Sequence, residues 1–235
     1  MSAPAPRTDT PPPGGPPGAP SAAADWLAGA LDAVGTDPSA LSTAFATAGR
    51  HVGRHPLDPE GDPRGVLGSV DDAARALLLE RAVHVAGDGA PDLLASLYRT
   101  GDTAERRGVL RGLDRLVEVS APLADALVAT GLELVADALR TNDPTLVAAA
   151  TGPFAAAHLD QHTWRHAVLK LVFMGVTLDA VAGLAVRADD ELAAMADRFA
   201  AERRAAGRTV PDDLARITPD AGTTTENDSS PEKDA

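Results

Sequence analysis

Helix stops recur along this chain at intervals no longer than an ordinary helix, from about residue 23 to residue 217. Ser, Asp or Thr stands ahead of runs with helical apolar spacing, and Gly or Pro closes them. Alternating apolar and polar runs of the kind that make strands are scarce. Such a chain can only fold as many short helices. The spacing predicts helices over 23–34, closed by Gly35, and 38–48, opened by Asp37-Pro38 and closed by Gly49. A loop follows over 50–68, with three Pro and four Gly, which is either a lid or an insertion. Further helices are expected over 70–86 behind Ser69, 91–98, 102–119, 122–139 and 144–150. Asp102 and Glu105 have the spacing of a capping box. Thr151-Gly152-Pro153 reads as a break. Asp160 then caps a helix that ends at Gly175, followed by 178–186, 190–206 and a last turn over 211–217.

The expected fold is therefore all-α, with about ten helices. Neighbours joined by brief connectors should pack as antiparallel hairpins. No fixed repeat period is present, so the stack is irregular and solenoid-like. One domain over 23–217 is large enough to bury a sizeable core. Residues 1–22, rich in Pro, Ala and Gly, and the acidic stretch 218–235 have the composition of disordered tails.

Composition excludes several classes. A net charge of −13 opposes binding to nucleic acid or to anionic membranes. The run 167–186 approaches the length of a membrane span. Lys170 and Asp179 would each cost about 2.5–3.5 kcal/mol at a bilayer centre, and Gly175 splits the run, so stable insertion is not expected. No apolar run follows Arg7, which argues against a secretory signal. The chain has no cysteine, which removes disulfides and thiolate chemistry and fits a cytoplasmic location. Walker, GxSxG, GxGxxG and zinc-knuckle patterns are all missing, and no cofactor is implied.

The helix over 160–175 is the chain's main anomaly. Trp164, Ala167, Val168 and Leu171 form one apolar arc, and Leu169 with Phe173 a second. From Ala167 to Met174 the only polar side chain is Lys170. A helix apolar on nearly all sides is a buried one, and a buried ammonium needs an anion or a ligand. Asp179 and Glu202 are the candidate carboxylates. His158, His162 and His166 recur at intervals of four, yet the HExxH glutamate is missing and Lys170 adds positive charge, so no metal is expected. His162, His166 and Lys170 instead make a row suited to an anion or to an ordinary helix interface. Arg203 continues the apolar stripe Leu192, Met195 and Phe199, where it either satisfies carbonyls at the helix end or reaches the pocket of Lys170.

Residues 160–217 resemble the EboA family through Trp164, Val168-Leu169-Lys170 and Phe173, then Gly175, Leu178, Gly183-Leu184 and Arg187. The likeness continues at Glu202-Arg203, Gly207-Arg208 and Pro211, with looser matches at Leu97-Tyr98 and Arg140-Thr141-Asn142. Two departures stand out: Arg165-His166 replaces the family's Asn-Gln, and Thr151-Gly152-Pro153-Phe154 replaces an Asn-Pro-Tyr-like segment. The resemblance implies an all-helical cytoplasmic protein that helps to move a metabolite. Such proteins are encoded beside a prenyltransferase, and no catalytic residue set comes with the likeness. The expected ligand-binding residues are Lys170, Arg203, His166, Trp164, Glu202 and Arg208. The expected partners are a small, possibly prenylated metabolite or proteins of the same gene cluster. The alternatives are an enzyme with a polar pocket around Lys170 and Arg203, or a scaffold for other proteins.

Overall fold

The computed structural model describes residues 21–119 and 122–217. The two tails predicted above fall outside them, apart from Ser21 and Ala22. Among the described residues the regular elements are all helices, without a strand; the one β-bridge joins Pro56 to Ser69. The helices are α1 (Ala22–Thr36), α2 (Ala40–His51), α3 (Val70–Ala86), α4 (Ala90–Thr100), α5 (Thr103–Val119) and α6 (Asp125–Arg140). They continue as α7 (Pro144–Ala149), α8 (Pro153–His158), α9 (Gln161–Met174), α10 (Leu184–Arg187) and α11 (Asp190–Ala205).

Most of the predicted caps are formed. Asp160 accepts from the Thr163 amide, Asp189 from Leu192, and Asp143 from Thr145 and Leu146. Asp102 and Glu105 close their capping box reciprocally. Gly175 ends α9 in the left-handed region, at φ +69°. Three expectations need correction. Gly49 lies inside α2 rather than ending it, because packing of Leu41, Phe45 and Ala48 outweighs the roughly 1 kcal/mol that a helical glycine costs. The single helix expected over 178–186 is a 3₁₀ turn, Leu178–Ala180, followed by α10, since Gly183 takes a positive φ between them. Pro153 starts α8, which the Gly-Pro break had concealed.

The packing is centred on α3 and α5, which are not sequence neighbours. Gly108 and Gly112 make this possible. A Cβ at Gly108 would lie 2.8 Å from Cβ of Arg75, and one at Gly112 would lie 3.0 Å from Cβ of Leu79. Two glycines one turn apart therefore let the α5 backbone settle directly onto α3. The expected packing of consecutive helices is present, α1 on α2, α2 on α3 and α4 on α5, and the long-range α3–α5 pair is added to it, with α7 and α8 also packed on α5.

The centre also holds charge. Asp71 and Arg75 are both buried, and Arg75 Nη1 donates to Asp71 at 2.6 Å while its Nε donates to the Phe45 carbonyl. Arg107 of α5 donates to Asp72 and to Ser69 Oγ. Burial raises the pKa of Asp71, but hydrogen bonds from Ser69 and Arg75 outweigh it and the net shift is downward. The loop that the sequence left as lid or insertion is tied into this network. Arg111 Nη2 donates to the Leu67 carbonyl and the Leu67 amide donates to Asp62. The Leu57 amide bonds to Gly68, and that of Val70 to His55. It is a pinned excursion whose ends meet.

Candidate functional site

Two hollows are present: one around Lys170, between α9 and α11, and a larger one between α1, α3, α5 and the start of α6. Around Lys170, α9 buries Trp164, Ala167, Val168, Leu169, Leu171 and Val172, as the apolar pattern implied. Its second arc is only half covered. Phe173 remains 62 % exposed, with its ring 4.1 Å from that of Phe199 on α11.

Lys170 pairs with neither Asp179 nor Glu202. Its Nζ donates at 2.6 Å to the carbonyls of Leu139 and Thr141, at the C-terminal end of α6. Those carbonyls have no intrahelical donor, so the ammonium completes them. Asp179 is instead held by Thr177 and Arg216, and Glu202 is exposed. Lys170→Met is therefore expected to lower stability by about 1–3 kcal/mol, the worth of charge-assisted hydrogen bonds to part-buried carbonyls. Denaturant titration checks it; an unchanged midpoint would contradict this role.

Arg187 does for α8 what Lys170 does for α6. Its guanidinium donates to the carbonyls of Ala155, Ala156 and Leu159 and lies 4.8 Å above the Trp164 ring. Trp164 is fully buried under it. Arg203 donates to the Thr209 carbonyl just past α11 and stacks on Phe199 at 5.6 Å. Arg208 is exposed. His166, Lys170 and Glu202 do come together, in a shallow 560 Å³ hollow with Leu169, Phe173 and Phe199; Trp164, Arg203 and Arg208 lie outside its lining. His162 and His166 pack edge to face at 4.5 Å. No group of three metal-ligating side chains occurs among the described residues.

The second place is a 960 Å³ cavity between α1, α3, α5 and the start of α6. Leu31, Leu77, Leu116, Leu123 and Leu127 supply its apolar lining. Its charged lining is Glu80, Arg81, His84, Asp88 and Arg115, with Glu80 and Arg115 joined in an ion pair. Volume and mixed lining are those of a small-molecule site. No residue of the 50–68 loop borders it. The sequence contained the parts: Leu77 and Arg81 fall on the helical period of α3, and Leu123 and Leu127 on one face near α6. What it lacked was the α3–α5 contact that brings them together.

The described residues thus form an all-helical domain with a large amphipathic cavity. The chain matches the model of the family described as metabolite traffic protein EboA over residues 21–218, and it belongs to that family. The match thus reaches well beyond the C-terminal stretch that carried the resemblance. No curated protein and no solved structure matches the chain. Among the described residues no helix is long and apolar enough to cross a membrane.

Proposed function

We propose that the protein holds a small, largely apolar metabolite in the cavity between α1, α3, α5 and α6, and so handles it between other proteins of its pathway. The observation that carries this reading is the cavity itself: 960 Å³ with an apolar lining and charged side chains among it. That volume lies within the range of ordinary ligand pockets, near its upper end. The reading is one of binding and release.

The test uses a neutral apolar fluorophore, phenylnaphthylamine. Saturable binding near one equivalent is expected, and Ala126→Trp or Leu31→Trp should abolish it, because both side chains border the cavity. Ala126 is exposed at the start of α6, so the larger side chain can be accommodated without disturbing the core. Binding that survives both substitutions would move the site elsewhere.

A second reading is favoured by the exposure of Phe173. The hollow of His166, Lys170 and Glu202 has an aromatic floor and a charged border, as contact surfaces between proteins do. In that reading the hollow receives a protein of the same pathway while the cavity carries the metabolite.

A further inference from the structure

The cavity's formal charges balance, two carboxylates against two guanidinia, but they are not all paired with one another. Glu80 and Arg115 neutralise one another in their ion pair. Asp88 stands two residues ahead of Ala90, the first residue of α4, where the positive end of a helix offsets a carboxylate. Arg81 differs from both. Arg81 is exposed and, among the described residues, its guanidinium makes no hydrogen bond and no ion pair; exposed arginines such as Arg50 and Arg64 share that freedom, but Arg81 also borders the cavity. Its guanidinium lies over Gly35 at the end of α1, where a Cβ would lie 2.2 Å from Nη2 and 2.4 Å from Nε. His84, three residues along α3, borders the same cavity without a partner of its own among the described residues.

We infer that the cavity takes an anionic amphiphile: an apolar body of small-molecule size bearing one carboxylate, sulfonate or phosphate group, held by Arg81 with His84 beside it. A guanidinium with its donors free offers a planar fork that matches such a group in two parallel hydrogen bonds. The leucines take the rest of the molecule, and the low polarity of that lining strengthens the charge-assisted contact at its edge. This inference rests on the cavity being the metabolite site.

Two probes with the same aromatic body separate the ideas: neutral phenylnaphthylamine and anionic anilinonaphthalene sulfonate. In the full chain both are expected to bind, and Ala126→Trp is expected to abolish both. Arg81→Gln should weaken the sulfonate about tenfold or more while leaving the neutral probe unchanged, as the loss of one charge-assisted hydrogen-bonding partner implies. Arg81→Lys should restore part of the sulfonate's affinity through charge alone. If Arg81→Gln leaves both affinities unchanged while Ala126→Trp abolishes both, the ligand class is wrong and the cavity reading stands. If neither probe binds, or both survive Ala126→Trp, the cavity reading falls and this inference with it.

Discussion

Arg75→Met is expected to destabilise the protein by about 3–5 kcal/mol, the usual cost of removing one partner of a buried ion pair. Asp71 and Arg75 are each 1 % exposed in their side chains, so neither charge has recourse to water. The substitution leaves Asp71 with the Ser69 hydroxyl and strips the Phe45 carbonyl of its donor. Methionine fills most of the volume beside Gly108, so the loss is electrostatic rather than a cavity. The double variant Asp71→Leu, Arg75→Met should recover much of the stability, because it removes the stranded charge as well. Chemical denaturation of both variants decides the matter. A single variant that loses less than about 1 kcal/mol, the scale of an exposed pair, would mean that the pair is hydrated in solution.

The second large effect is a pH dependence at Asp114. Burial pushes its carboxyl up to about 7 from the ordinary 3.8, against the opposing influence of Arg111 and the Phe154 amide. The amide donates at 3.0 Å and Arg111 stands at 3.5 Å, while a Cβ on Gly152 would overlap the carboxylate. Glu118 faces the same group and reinforces the upward shift. Between pH 3.8 and about 7 the folded state keeps a proton that the unfolded state has released. Stability therefore falls as pH rises through that window and is restored as pH drops. The two values differ by about 3 pH units, or about 4 kcal/mol at 1.36 kcal/mol each. Asp71 acts in the opposite sense, since its lowered pKa contributes stability that is lost in acid. The difference between the wild type and Asp114→Asn isolates the one group. That difference should shift in favour of Asn as pH rises from 4 to 7; a constant difference would show that Asp114 ionises freely.

The helices were legible where side chains declare their ends. Asp160 and Gly175 bracket α9, and Asp189 opens α11, through contacts within a few residues that a linear reading captures. Gly49 and Gly152-Pro153 misled because their meaning depends on tertiary contact: one is carried inside a packed helix, the other begins a new one. The sequence implies an anion or a ligand for Lys170, whereas its ammonium meets a pair of backbone carbonyls 29 and 31 residues away, which no side-chain pattern announces. The same holds for Arg187 and the end of α8. The cavity was least legible. It depends on α5 settling onto α3 through Gly108 and Gly112, and the spacing of those glycines carries meaning only once the facing helix is known.

Native mass spectrometry of the protein purified from its own host, alongside Ala126→Trp, tests the central claim most directly. The account predicts a small anionic molecule retained by the wild type and missing from the variant, with both folded alike. The same molecule retained by both, or a bare chain in both under conditions that preserve weak complexes, would contradict a metabolite site between α1, α3, α5 and α6.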